Sequence, residues 1–284
     1  MNIGIIGYGF VGKALEYGFK HYVNIKIFDK YNNIFNTLEE TINDSSIIFV
    51  GVPTPMKEDG SQDLSNMANA LKSINDVALT KKIIVLKSTI VPGTTRMFAD
   101  IYPQHDFVFN PEFLTERNAN EDFVKSTRIV LGGEKHAVDE VEKLYRIRFV
   151  STPIFKTTLE SAELVKYMGN CFLAMKVAFC NEFYDIAQFL NINYDELKDI
   201  WVADGRMGNS HVSVPGPDGH RGYGGKCFVK DINALIAWAE ENGLNVSMCR
   251  SAEAVNNKVR DEKDWKNIVG ATSVNNYSTS SEDK

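Results

Sequence analysis

No apolar run in this sequence of 284 residues is long enough to span a bilayer as a helix. Excess positive charge is missing as well. Lys and Arg number 31 against 37 Asp and Glu, a net charge of −6 that argues against nucleic acid as the main partner. The four cysteines, Cys171, Cys180, Cys227 and Cys249, show neither a paired framework nor a CxxC metal spacing. His211 and His220 form no HxxxH pair, so no metal site is expected, and the cysteine usage points to a reducing, cytoplasmic setting. The N-terminus lacks a basic start and a cleavage signal, so no secretory leader is expected. There is no internal repeat. Compositional bias is confined to the last stretch, VNNYSTSSEDK, polar and expected to be disordered. What remains is an ordinary soluble composition, 44% hydrophobic, at a length that suggests about two domains.

The first half alternates short apolar strands with helices. NIGII, residues 2–6, reads as a strand, followed by GYGFVG and a helix from about Gly12 to Lys20. A second strand, Val23 to Phe28, ends at Asp29. A lone GxGxxG is a weak signal. Here it stands in the full order of strand, glycine loop, helix, strand and acid, with Asp29 roughly twenty residues past the loop. Gly7 serves the tight turn, Gly9 the close approach of a pyrophosphate, and Gly12 the packing of helix on strand. The helix N-terminus turns N–H groups and a positive dipole end to the phosphates. A carboxylate at Asp29 accepts from the ribose hydroxyls and repels a 2′-phosphate, so NAD is expected rather than NADP. Further strands are expected at 46–50, 82–86, 107–109 and 128–131, which predicts an α/β doubly wound parallel sheet. Ligands lie beyond the carboxyl ends of such strands. Those ends carry Gly7, Asp29, Thr54, Thr89 and Glu112. Taken alone, Thr54 reads as a turn residue. Glu112 and Glu116 are four apart and would share a helix face, either as functional carboxylates or as a solvated helix start.

The second half reads as helical. One proline-free pattern runs from Thr158 to Leu190 and is apolar on most sides, which predicts a buried helix, at that length one that spans a subunit interface. Lys166 and Asn170, four apart within it, need polar partners and suit an oxygen that gains negative charge, although taken alone a snorkelling lysine and an ordinary amide are the favoured reading. A glycine- and proline-rich loop of some two dozen residues follows, long enough to suggest a functional role. It ends in RGYGGKCFVKD, where Gly224 and Gly225 let a backbone or ligand come close. Cys227 is placed near a helix entry between Lys226 and Lys230, a setting that favours the nucleophilic thiolate, although on this stretch alone a small buried apolar residue fits it as well. Asp231 lies four residues on and suits holding a water or taking a proton.

Six segments occur in order: GYGFVG, VPTP, STIVPGTT, NPEFLTE, ELVKYMGN and GYGGKCFVKD. From Met1 to about Asn257 the chain resembles the UDP-glucose 6-dehydrogenase/GDP-mannose dehydrogenase family. The resemblance implies a Rossmann NAD-binding domain over 1–157 and a helical dimerisation and catalytic domain over 158–258; the remaining 259–284 are expected to form a tail, partly disordered. It implies oxidation of a nucleotide sugar, UDP-glucose foremost, from C6 alcohol to carboxylate with two NAD+ per turnover. Cys227 is then the nucleophile that forms a thiohemiacetal and a thioester. Lys166 and Asn170 stabilise the oxyanions, Thr89 and Asp231 hold the catalytic water, and Glu112 is the base of hydrolysis. Cofactor contacts fall to the loop residues Gly7, Gly9, Phe10, Val11 and Gly12, and to Asp29, Thr54, Thr89, Glu116 and Lys230. The sugar nucleotide is met by Glu112, Phe113, Leu114, Lys166, Asn170 and Gly224, and by Arg206 from a neighbouring subunit, which implies a homodimer. The family's usual third domain has no counterpart among these six segments. GDP-mannose, UDP-N-acetylglucosamine and UDP-N-acetylmannosamine are the alternative substrates. Rival readings are a β-hydroxyacid dehydrogenase, which needs a lysine and no cysteine, and a catalytically inactive chain that dimerises with or regulates a relative.

Overall fold

A computed structural model describes residues 1–32 and 34–273; the expectation for VNNYSTSSEDK falls on 274–284, outside the described residues. The chain divides into two compact units. The first comprises 1–54 and 64–166, the second 55–63 and 167–284. The division falls inside one long helix, between Lys166 and Tyr167.

The first unit is built on a seven-stranded sheet, β1 (Asn2–Ile6), β2 (Asn24–Phe28), β3 (Ile47–Val50), β4 (Ile83–Leu86), β5 (Asp106–Phe109), β6 (Ile129–Gly133) and β7 (Ile154–Thr157). Their order is β2-β1-β3-β4-β5-β6-β7. The first five strands pair in parallel, as βα alternation demands. β6 pairs antiparallel to β5, a departure from the all-parallel expectation, and β7 runs parallel to β6. Buried strands present alternate residues to opposite faces. Ile3, Ile5, Ile47, Phe49, Val85, Val108 and Leu131 pack on one side with α1 (Phe10–Phe19) and α6 (Lys135–Arg148). Ile6, Ile48, Val50, Ile84, Leu86 and Phe109 pack on the other with α2 (Leu38–Asn43), α3 (Ser65–Val77) and α4 (Thr94–Ile101). Short α5 (Ala119–Val124) brings Phe123 against Gly18 of α1, where an added Cβ would sit 2.2 Å from the ring. The absent side chain there is what lets Phe19, Phe123, Tyr145 and Phe149 form their edge-to-face cluster.

Helix α7 (Leu159–Phe189) matches the long apolar pattern. Its opening turns, which belong to the first unit, are held there by Glu163, which is fully buried. The Glu163 carboxylate accepts from the Gly93 and Thr95 N–H groups at 2.7 Å each and from the Thr95 hydroxyl at 2.5 Å. Burial pushes its carboxyl pKa up, against the pull of those donors.

The second unit continues with α8 (Tyr194–Val202), α9 (Cys227–Glu241) and α10 (Ser247–Val259). A core of Cys180, Ala187, Tyr194, Val212 and Val214 ties the long loop to α7. The Lys176 ammonium gathers the carbonyls of Met207, Gly208 and Ser210 at 2.7–2.9 Å, so one cation fixes a loop that has no ladder of its own. The expectation that α7 is buried on most sides is corrected here. Met168 is 63% exposed, Phe172 61% and Phe189 85%, and Phe179, Phe183 and Ile186 are also open in the single chain.

Candidate active site

The carboxyl ends of β1 to β5 carry the first set of candidate residues. Gly7 adopts φ +90°, and a Cβ there would lie 2.7 Å from the Gly51 carbonyl oxygen. Gly12 opens onto the Gly7 carbonyl, 2.3 Å from where its Cβ would be. A Cβ at Gly9, by contrast, would meet nothing within 4 Å. Two glycines are therefore needed by the loop itself, and the third leaves room outside it. Gly9 is the N-cap of α1 and offers no side chain to cap it, with Phe10 and Val11 in the first turn. Asp29 is seated at the tip of β2, where Oδ2 accepts from the Tyr8 N–H at 2.7 Å and Oδ1 from Tyr31 at 2.9 Å. An open backbone cradle at a helix N-terminus, flanked by a fixed carboxylate, fits a dinucleotide pyrophosphate and its ribose.

At the ends of β3 and β4 the Thr54 hydroxyl donates to the Thr89 carbonyl at 2.9 Å, and both residues are buried. Beyond β5 the Glu112 carboxylate is also buried. Its Oε1 accepts from Lys166 Nζ at 2.9 Å and its Oε2 from the Leu114 N–H at 2.7 Å. This second bond corrects the shared-face expectation for Glu112 and Glu116. The carboxylate takes an amide that would otherwise be left to a helical turn, the Thr115 N–H goes to Asp122, and residues 111–115 form no helix. Glu116 opens a separate 3₁₀ turn and is exposed. Phe113 lies under the Lys166 ammonium and the Arg128 guanidinium, 5.9 and 4.0 Å from its centroid. Glu112, Phe113 and Leu114 line a cavity of about 330 Å³ with Lys87, Asn110 and Tyr145.

Sequence reasoning passed over the floor of that cavity. Lys87 is 3% exposed and donates to Asn110 Oδ1 at 2.7 Å; the same oxygen accepts from the Tyr145 hydroxyl at 2.5 Å. Burial, with Lys166 nearby and Glu112 opposing, brings the Lys87 ammonium from its ordinary 10.5 down to about 7. The only sequence signal was a lysine at the polar end of an apolar strand.

The second unit holds the rest. Cys227 is the first residue of α9, not merely near it, and is partly exposed, whereas Cys171, Cys180 and Cys249 are buried. Asp231, one turn further on, is 1% exposed. It accepts from the Asn170 amide at 2.6 Å and is paired with Lys230. Asn170, Cys227, Lys230 and Asp231 are thus held within one unit by α7 and α9. Gly224 packs against buried Arg260, and its Cβ would meet the guanidinium at 2.1 Å. Arg206 is not drawn into this group; it is exposed and paired with Asp204. Among the described residues no group of three or more His, Cys, Asp or Glu side chains is placed to hold a metal ion, and no helix is long and apolar enough to cross a membrane.

Residues 15–148 match the UDP-glucose/GDP-mannose dehydrogenase family, NAD binding domain, and residues 160–258 match the central domain of the same family. The chain belongs to the UDP-glucose/GDP-mannose dehydrogenase family. Within that family it is 32% identical over 253 residues to a UDP-glucose 6-dehydrogenase of Bacillus subtilis strain 168, covering 86% of this chain and 53% of that protein. It is 33% identical over 267 residues to a UDP-glucose 6-dehydrogenase of Rhizobium meliloti strain 1021, covering 90% of this chain and 60% of the other. The solved structure of a UDP-glucose dehydrogenase of Pyrobaculum islandicum superposes with a TM-score of 0.81 at 26% identity, over 90% of this chain and 68% of that one. This family member therefore spans about half the length of the curated relatives it matches.

Proposed function

We propose that this chain oxidises the C6 alcohol of a nucleotide sugar, UDP-glucose in the first place, to the carboxylate. The observation that carries the reading is the seating of Cys227 at the first position of α9, one turn before an aspartate that is buried and tied to Asn170. It belongs to a chain whose first unit matches an NAD binding domain. Full oxidation of an alcohol to an acid in one enzyme calls for a covalent acyl stage, and a cysteine is the group able to form it.

NAD+ held at the glycine loop supplies the acceptor of one hydride in each of two oxidation steps. In the first step C6 loses a hydride and the hydroxyl loses its proton, which leaves an aldehyde. The Cys227 thiolate then bonds to that carbon as the carbonyl π electrons move onto oxygen, giving a thiohemiacetal in its alkoxide form. Loss of the second hydride from the same carbon gives a thioester. Water adds to the thioester carbonyl, the C–S bond breaks, and sulfur leaves as thiolate. Lys166 and Asn170 donate to the oxygen that carries negative charge at each stage. Asp231 and Thr89 hold the water, and Glu112 takes its proton. Gly9, Phe10 and Val11 meet the pyrophosphate, Asp29 the ribose, and Thr54, Thr89, Glu116 and Lys230 the remaining cofactor edge. Phe113, Leu114 and Gly224 border the sugar nucleotide.

The exposed apolar side of the second unit, Phe172, Phe179, Phe183 and Phe189 among it, suits a second copy of the chain and brings Arg206 to its neighbour's substrate. Four cysteines present as thiols fit a reducing cytoplasm. The test is stoichiometric. Purified chain with UDP-glucose and excess NAD+ gives two NADH for each UDP-glucuronate formed, and Cys227→Ala gives no acid while NAD+ affinity persists. Release of one NADH with aldehyde would refute the covalent route.

A further inference from the structure

Cys227 follows directly on a turn, Gly222 to Lys226. Asn181 of α7 accepts from the Gly222 N–H at 3.3 Å, and the other groups that hold this turn come from further along the chain. Asn256 of α10 grips Tyr223 on both sides. Its Oδ1 accepts the Tyr223 N–H at 2.7 Å and its amide donates to the Tyr223 carbonyl at 3.0 Å. Two residues on, the Gly225 N–H donates to Asp264 Oδ2 at 2.9 Å. Asp264 is in turn fixed by Arg260, whose Nη2 lies 3.0 Å from Oδ1.

The Arg260 side chain is 1% exposed. Beyond Asp264 it donates to Asp218 Oδ2 at 2.7 Å, to the Glu262 carbonyl at 2.9 Å and to the Arg221 carbonyl at 3.4 Å. A buried guanidinium is tolerated only when its donors are met, and here two carboxylates and two carbonyls meet them. The fit is close. Cβ atoms added at Gly224 would come within 2.1 Å of Arg260 Nη2 and 2.4 Å of Asp264 Oδ1. Arg260 and Asp264 both lie after residue 258, where the match to the central domain stops. Their segment is pinned at its far end as well. The Met56 N–H donates to the Ala271 carbonyl and the Ser273 N–H to the Met56 carbonyl, each at 2.9 Å, with Trp265 and Ala271 buried between.

We infer that Arg260 and Asp264 are positioning residues for Cys227, a clamp that fixes the Gly224–Gly225 turn and so sets where the first residue of α9 presents its sulfur. The inference rests on the role proposed for Cys227, and its primary readout is independent of turnover. The experiment is the rate of iodoacetamide labelling at each cysteine, read by peptide mass spectrometry on the full chain. Asp264→Ala, which removes the acceptor of the Gly225 N–H, is expected to change the Cys227 rate at least fivefold. Arg260→Lys, which keeps the charge and loses the fork of donors, is expected to change it at least threefold. Asp264→Asn retains a side-chain oxygen for that N–H but turns its amide group onto the Arg260 guanidinium, and is expected to change the rate less than Asp264→Ala. Cys171 and Cys249 remain unlabelled throughout, which separates a local release of the turn from loss of the second unit's fold. In turnover, kcat falls at least tenfold for Asp264→Ala with KM for the sugar nucleotide within twofold.

Cys227 labelling within twofold of the parent in both Asp264→Ala and Arg260→Lys overturns the clamp. So does labelling of Cys171 or Cys249 in step with Cys227, because the residues would then serve general stability. A parent chain that makes no NADH defeats the proposed reaction and leaves the labelling outcome to decide the clamp alone.

Discussion

Replacing Lys87 by methionine is expected to stabilise the protein. Lys87 is 3% exposed, and burial holds its ammonium down at about 7 rather than 10.5. A drop of that size corresponds to a cost on the order of 5 kcal/mol for keeping the group charged when folded at low pH. The sign follows from proton counts. Between the two values the unfolded chain binds more protons at Lys87 than the folded one, so this contribution to stability rises with pH. The cost is fully present below 7, shrinks by about 1.4 kcal/mol per unit above it, and is gone near 10.5. Methionine is close in volume and carries no charge. It forfeits the bond to Asn110 Oδ1, worth about 1.5–3 kcal/mol for a charged donor, but Tyr145 still donates to that oxygen and Glu112 still has Lys166. The net gain at pH 6 is about 2–3 kcal/mol, or roughly 4–12 °C in Tm for a unit of this size. Urea or thermal melts of parent and Lys87→Met across pH 6–9 are the assay. The difference between them should shrink as pH rises. An equal or lower Tm for the variant at pH 6, with a difference that does not move with pH, would refute the reasoning. Catalytic rate is the expected loss, because a stabilised cavity floor no longer supports the Asn110–Glu112 segment with charge.

Gly9→Ala should leave the Tm within about 1 °C, since its Cβ meets nothing within 4 Å, yet weaken NAD+ binding at least tenfold by calorimetry. Gly12→Ala, 2.3 Å from the Gly7 carbonyl, should lower both Tm and cofactor affinity. Glu112→Gln should cost more stability than Lys166→Met. It leaves the two ammonium groups of Lys87 and Lys166 without their carboxylate, whereas Lys166→Met leaves Glu112 with Lys87; the larger loss should approach about 3–5 kcal/mol by urea melts. If the proposed dimer forms through the exposed apolar side of the second unit, Phe172→Glu together with Phe189→Glu should give a monomer by light scattering without lowering the Tm of either unit, because both rings are open in the single chain.

Features fixed by local periodicity were legible in the sequence. The strand, glycine loop, helix and acid order placed Gly7, Gly9, Gly12 and Asp29 where the structure has them, and the proline-free apolar pattern anticipated α7 to within a residue at each end. β6 was read as a strand but not as an antiparallel one, because a buried strand carries the same apolar run in either direction. Glu112 and Glu116 had helical spacing, but a side-chain bond to the Leu114 amide overrode it. Lys87 with Tyr145, and Asn256, Arg260 and Asp264 with the turn before Cys227, join residues 33 or more apart in most of their bonds. No short-range pattern encodes them; only the folded chain brings them together.

The reading depends above all on Cys227 meeting the sugar carbon. A crystal structure of the Cys227→Ser variant with NAD+ and UDP-glucose measures that directly. The account predicts the serine oxygen within about 3.5 Å of the sugar C6. Electron density with both ligands bound and that oxygen turned away from C6, into the packing of the second unit, would contradict it.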